Sequence, residues 1–124
     1  MPISSRTDPS NDLTVFTASG VLTFEEQMAA FKEFYEGEPT KNVVLDLRNI
    51  TGKRISSDEL RRIIAFIKLH KDKRGPGKTA LIAKTDLDFG LSRMSDALAE
   101  SEGVPWKIRA FRSMGDAVKW LTEG

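Results

Sequence analysis

The sequence predicts an α/β domain whose strands and helices alternate in the order ββαβαβαβα. Three observations support this fold class. Short runs of β-branched and aliphatic residues recur, as at 42–47 and 79–83, amphipathic helical stripes lie between them, and capping signals precede the stripes. Because strands joined through helices form right-handed parallel crossovers, we expect a mixed, mostly parallel sheet with an N-terminal antiparallel hairpin and four helices on its faces.

Length and composition indicate one domain spanning residues 1–124. A chain of this size buries roughly two-thirds of its unfolded surface, which is enough for an independent core. Cysteine is absent, so disulfides and thiolate metal sites are excluded. The lack of an apolar leader after Met1 also favours a cytoplasmic protein. Every apolar run is far shorter than the ~20 residues that span a bilayer, so no transmembrane segment is expected.

Charge is distributed unevenly, although the formal net charge is only +1. Residues 1–40 contain seven acids and two basic residues, whereas residues 61–84 contain eight basic residues and one acid. A basic segment can bind a polyanion, but cations are also common on solvated surfaces and at helix C-termini. We favour the surface interpretation and expect no specific nucleic-acid binding.

Turn and capping residues predict the first elements. Residues 3–7 and 13–19 form a hairpin around a cluster of turn formers. Thr23 and Glu26 have capping-box spacing and start the first helix. Its core stripe consists of Phe24, Met28, Phe31 and Tyr35. The strand at 42–47 is almost entirely apolar, which predicts a central position covered on both faces.

A second capping box, Ser56 with Glu59, begins the second helix at about Ser57. Its buried stripe consists of Leu60, Ile63, Ile64 and Ile67. The helix is expected to end at about Lys71, before a breaker at residues 72–77.

The third helix follows the strand at 79–83 and is capped by Thr85. Its predicted inward stripe is Leu87, Leu91, Met94 and Leu98. A strand at 106–111 comes next, and the last helix opens at Ser113. The core contacts expected from that helix are Ala117, Trp120 and Leu121.

Two short motifs suggest chemistry that their surroundings exclude. The segment 75–79 ends like a phosphate-binding loop, but Asp72 stands where that loop needs glycine, and the order of strand and helix is reversed. Residues 88–90 spell the kinase metal-binding tripeptide without any other kinase motif. His70 is the only histidine, which excludes histidine triads and multi-histidine metal sites. We expect no catalytic residues, no metal and no cofactor, and rank an enzyme working through Ser, Lys or Asp last.

A binding site in such a sheet is expected beyond the carboxyl ends of the parallel strands. That rule selects the segments 46–57, 84–89 and 112–113. The residues there that present cationic or hydroxyl groups, with one arginine further along the third helix, are Arg48, Arg54, Ser56, Ser57, Thr85, Ser113 and Arg93. Two interpretations stay open for each: caps and solvated arginines, or contacts to an anion, a phosphate or a partner.

The order of elements, with the strand at 42–47 followed by Ser56 at a helix start, resembles the STAS domains of anti-sigma-factor antagonists, which have the SpoIIAA-like fold. The segments 18–23, 89–94 and 111–121 resemble an uncharacterised bacterial SpoIIAA-like group more narrowly. In the antagonists a serine at this helix start is phosphorylated, and Ser56 is the matching position. The resemblance thus implies a phosphorylation site or partner-binding rim comprising Ser56, Ser57, Arg48 and Arg54.

A related SpoIIAA-like branch resembles lipid-binding CRAL-TRIO domains, which implies an apolar ligand as an alternative. Phe89, Met94 and Phe66 are expected to line such a pocket, although core packing explains them as well. The candidate ligand-binding residues are Thr85, Phe89, Arg93 and Ser113.

The first hypothesis is therefore a non-enzymatic regulatory or protein-interaction module of STAS-like type, for which the rim must be exposed. The alternative is a small-molecule or lipid-binding module, for which a closed apolar cavity near the third helix, with an arginine at its mouth, is required. The expected partner is a regulatory protein or a small apolar or anionic ligand. A homodimer stays open, because an interface patch and a core stripe look alike in one sequence.

Overall fold

The α/β order predicted from the sequence is confirmed by a computed structural model, which describes residues 3–74 and 76–123. The strands are β1 (Ile3–Asp8), β2 (Leu13–Gly20), β3 (Asn42–Ile50), β4 (Lys78–Ile82) and β5 (Lys107–Phe111). The helices are α1 (Phe24–Glu36), α2 (Ser57–Leu69), the one-turn α3 (Lys71–Arg74), α4 (Asp86–Ser101) and α5 (Met114–Thr122). Within these described ranges no helix has both the length and the apolar character needed to cross a membrane.

The five strands form one mixed sheet in the order β1-β2-β3-β4-β5. β1 and β2 are antiparallel, with Ile3 opposite Ala18, and all other neighbours are parallel. β3 lies at the centre, as its apolar sequence predicted, and Val44 is fully buried there. The carboxyl ends of β2, β3, β4 and β5 consequently meet at one edge of the sheet, which we call the carboxyl edge.

Each face of the sheet has its own core. Helices α1, α2 and α4 cover one face, where Phe31, Ile63 and Ala99 pack among buried side chains of the strands. Helix α5 covers the other face, where Ala117 and Leu121 pack against the smaller apolar side chains of β3 and β4. The larger core therefore lies between three helices and the sheet.

Hydroxyl side chains cap the helices as the sequence predicted. Thr23 and Ser56 each accept a hydrogen bond from the backbone nitrogen of the glutamate three positions on. The carboxylate of that glutamate in turn accepts from the backbone nitrogen of the threonine or serine, which completes a capping box. Thr85 and Ser113 cap α4 and α5 by accepting from the backbone nitrogens of Asp88 and Asp116.

Two predictions about the second half of the chain were wrong in detail. Leu87, placed in the inward stripe of α4, is 62% exposed. The other predicted members of that stripe, Leu91, Met94 and Leu98, are half-buried on the inward face. This face also carries the buried side chains of Asp88, Ser92 and Ala99. Residues 71–74 form a helical turn where a chain breaker was expected. Arg74 explains this turn, because it is only 6% exposed and donates to the carbonyl oxygens of Lys41 and Lys78. Gly75 of the predicted breaker lies outside the described residues.

Candidate functional site

Polar side chains connect the segments at the carboxyl edge, where the sequence predicted a site. The guanidinium of Arg112 donates to Asp86 Oδ1 over 2.7 Å and to the carbonyl oxygen of Lys84 over 3.1 Å. It also lies 4.4 Å from the ring centre of Phe89. The segments after β4 and β5 are therefore joined at this edge.

Arg48 and Asp46 form a local ion pair at the end of β3. Arg48 Nε and Nη2 donate to the two carboxylate oxygens over 2.9 and 2.8 Å. These hydrogen bonds hold the pKa of the buried Asp46 carboxyl below its usual value. Arg48 is thus half-exposed but already engaged in the fold.

Arg54 forms a second two-point pair, with Asp88 at the start of α4. Nε donates to Oδ1 over 2.6 Å and Nη2 to Oδ2 over 3.0 Å, while the Thr85 hydroxyl donates to Oδ2 over 2.9 Å. Asp88 is only 3% exposed, yet the hydrogen bonds from Arg54 lower the pKa of its carboxyl more than burial raises it. This pair ties the loop after β3 to the first turn of α4.

The remaining predicted residues occupy helix starts and the surface. Ser56 and Ser57 are exposed at the first turn of α2, Thr85 and Ser113 are caps, and Arg93 points away from the core as an exposed side chain. The structure thus places the predicted partner rim in contact with solvent at its serines. Their phosphorylation and partner contacts stay predictions.

A cavity of about 120 Å³ lies between the sheet and helices α1, α2 and α4. On the sheet side it is lined by Leu45 and Leu81, and on the helix side by Phe31, Ile63 and Met94. Most of its wall is apolar, so the polar side chains that reach it are informative. Most of them lie at its two ends, and the others are Gln27, Ser92 and Ser95.

The end of the cavity at the carboxyl edge is lined by Thr51, Lys53, Arg54, Ser56 and Asp88. Arg54 therefore lies at the cavity, whereas Arg93, the arginine assigned to the ligand-binding alternative, is not part of its lining. The guanidinium of Arg54 is committed to Asp88 and to the carbonyl oxygen of Gly52. The ion pair neutralises the charge of Arg54, and the other cation at this end, Lys53, is exposed to solvent.

The opposite end, which we call the amino end, is lined by Tyr35, Arg74, Thr79 and Trp106. Arg74 donates to the carbonyl oxygens of Lys41 and Lys78 over 2.9 and 2.8 Å and to the Tyr35 hydroxyl over 3.4 Å. Its guanidinium carbon lies 4.5 Å from the Trp106 ring centre. Burial lowers the pKa of Arg74 and raises that of Tyr35.

Two polar groups at the amino end have unmet interactions among the described residues. No carboxylate oxygen lies within 4.0 Å of the Arg74 guanidinium in that part of the chain. Thr79 Oγ1 is buried and has no hydrogen-bond partner there. The amino end thus combines a buried cation without an anion and a hydroxyl without an acceptor.

The cavity includes some of the residues selected from the sequence and omits others. Arg54, Ser56 and Met94 line it. The selected residues outside its lining are Arg48, Ser57, Thr85, Phe89, Arg93, Ser113 and Phe66. Sequence reasoning missed Arg74, which looked like one more cation of a basic segment. Thr79 carried a usable signal, because it alternates with Leu81 and therefore faces the same core.

Comparison with known proteins supports the fold. No family model and no curated protein matches the chain. A crystal structure of an uncharacterised protein of the DUF3478 family from Shewanella loihica PV-4, with a SpoIIAA-like fold, superposes with a TM-score of 0.61. The match covers 96% of this chain and 91% of that chain at 19% sequence identity. The fold is SpoIIAA-like, as the resemblance implied.

Proposed function

We propose that this protein binds a small, largely apolar molecule in the cavity between the sheet and helices α1, α2 and α4. The observation that carries the proposal is the cavity itself, about 120 Å³ with a mostly apolar wall. Its size is comparable with that of an engineered cavity of ~150 Å³ that binds benzene. A single aromatic ring or a short aliphatic chain therefore fits.

An unfilled cavity does not stabilise the folded protein, so its presence needs another explanation. Protein interiors are close-packed, and side chains that line an unfilled space lose packing contacts. A bound molecule restores the lost packing contacts. The domain can then be described as a binding module whose core is completed by its ligand.

Toluene is a suitable probe, because it has the size and apolarity of the expected occupant. In two-dimensional ¹H–¹³C NMR we expect millimolar toluene to shift the methyl signals of Leu45, Leu81 and Met94, which line the cavity. Methyl groups of Val15 and Leu121, in the core on the other face, should not move. Absence of shifts at the lining methyls would refute the proposal.

A matched pair of variants tests whether the cavity is the binding site. Val43→Ile adds a methyl group to the cavity wall, whereas Val15→Ile makes the same change beneath α5. We expect Val43→Ile to weaken toluene binding and Val15→Ile to leave it unchanged. Equal effects of the two substitutions would place the binding elsewhere.

A second candidate function is docking of a regulatory protein on the rim at the start of α2. The exposure of Ser56 and Ser57 supports it. A phosphate on Ser56 would gain from the helix N-terminus but would be repelled by Asp58 and Glu59 in the same turn. Intact-mass measurement of protein isolated from its host, with mapping of any phosphate to Ser56, tests this function.

A further inference from the structure

The amino end of the cavity has an excess of hydrogen-bond donors over acceptors. The Arg74 guanidinium has five N–H donors. Only three contacts to oxygen occupy them among the described residues, and the one to Tyr35 is long at 3.4 Å. In that part of the chain neither the Thr79 hydroxyl nor the Tyr35 hydroxyl donates to any acceptor. An acceptor from outside the chain would complete this end.

The charge at this end is also unbalanced. Arginine stays protonated in proteins, and burial of a cation without a counter-ion destabilises the folded state. Tyr35 supplies no negative charge, because burial raises the pKa of its hydroxyl. Asp12 interacts with Arg74 through its negative charge but forms no ion pair with it. Its side chain is exposed, and its carboxylate accepts a hydrogen bond from the backbone nitrogen of Lys41. The missing component is an anion.

Resting on the proposed function, we infer that the ligand carries a carboxylate that binds Arg74 and Thr79 at the amino end of the cavity. A carboxylate has two acceptor oxygens and no donor, which matches a site made of donors. The rest of the molecule lies along Leu45, Leu81 and Ile63. The ligand class is a small aromatic or short-chain aliphatic carboxylic acid bound as its anion.

The arginine at the carboxyl edge does not compete for this role. Arg54 already has a carboxylate partner in Asp88, with both oxygens engaged. A ligand anion at that end would have to displace a buried carboxylate and leave it without its guanidinium. Arg74 needs no such exchange.

The experiment compares acids with neutral analogues of the same shape, benzoate with benzamide and hexanoate with hexanamide, by NMR titration at neutral pH. In at least one pair we expect the acid to bind at least about tenfold more tightly, because charged hydrogen bonds at a buried site are strong. That pair also shows whether the site takes a ring or a chain. Equal binding of acid and amide in both pairs would overturn the inference.

Two variants test whether the Thr79 hydroxyl is responsible for the preference for an acid over its amide. Thr79→Val removes the hydroxyl with little change of shape, and Thr79→Ser keeps it. We expect Thr79→Val to weaken binding of the preferred acid by about tenfold relative to binding of its amide, and Thr79→Ser to retain the preference for the acid. A Thr79→Val variant that keeps the full preference would overturn the role of Thr79. Toluene binding without any preference for an acid would refute only this inference, whereas binding of no probe would refute the proposed function as well.

Discussion

Arg54 and Asp88, separated by 34 residues, form a two-point ion pair that joins the loop after β3 to the start of α4. The pair lies at one end of the cavity, and its carboxylate is buried while part of the arginine reaches solvent. Loop, helix and cavity wall are therefore coupled through these two side chains. Removing either partner tests that coupling.

We expect Arg54→Gln to lower the free energy of unfolding by about 2 to 4 kcal/mol, because the Asp88 carboxylate would stay buried without its cation. Chemical denaturation at neutral pH measures the change. Arg61→Gln is the matched control, since Arg61 pairs with Asp58 on the exposed surface of α2. That control should change stability by less than about 0.5 kcal/mol. Similar losses in both variants would contradict the importance of the buried carboxylate.

The same pair makes stability depend on pH in the acid range. Hydrogen bonds from Arg54 hold the folded-state pKa of Asp88 below its unfolded value, which is about 3.9. The stabilisation is therefore present in full above the unfolded pKa and is lost as the pH falls through the folded pKa. We expect stability to decrease less steeply below about pH 4 in Asp88→Asn than in the original protein. Parallel curves for the two proteins, measured by denaturation at each pH, would refute this linkage.

Substitution by valine should change the stability of the protein in opposite directions at two buried threonines. Thr79→Val is expected to stabilise the unliganded protein by about 1 kcal/mol, because it removes a buried hydroxyl that has no partner among the described residues. Thr14→Val is expected to destabilise it by about 1 kcal/mol, since the Thr14 hydroxyl pairs with that of Thr40 over 2.8 Å. Thermal unfolding of both variants gives the signs. A destabilised Thr79→Val would show that its hydroxyl is already bonded.

The backbone beside Arg74 should tolerate no side chain at position 77. A Cβ on Gly77 would overlap the carbonyl oxygen of Lys41, the group to which Arg74 donates. We expect Gly77→Ala to cost more than about 3 kcal/mol, because backbone must move on both sides of the contact. Gly115→Ala in α5 meets open space and should stabilise by about 0.5 to 1 kcal/mol. Denaturation curves of the two variants test the contrast, and a mild effect at position 77 would contradict it.

Much of the fold could be predicted because its determinants are local. Thr23 with Glu26 and Ser56 with Glu59 specify their helix starts within one turn, and both capping boxes are present. The apolar strand at 42–47 indicated the centre of the sheet, where β3 lies. The candidate site was less accessible to this reasoning. Of the arginines singled out at the carboxyl edge, only Arg54 reaches the cavity, and the cations of the basic segment gave no indication that Arg74 does.

The sequence by itself determined the order of elements, the helix caps and the alternation that directs Leu81 and Thr79 to one face of the sheet. Only the tertiary structure decided which polar residues became part of the core. Asp88 is buried because Arg54 arrives from a distant loop, and Arg74 is buried because the carbonyl oxygens of Lys41 and Lys78 converge on it. The free energy of burying a charge depends on partners that are far away in the chain, and those partners are specified only once the strands and helices have packed.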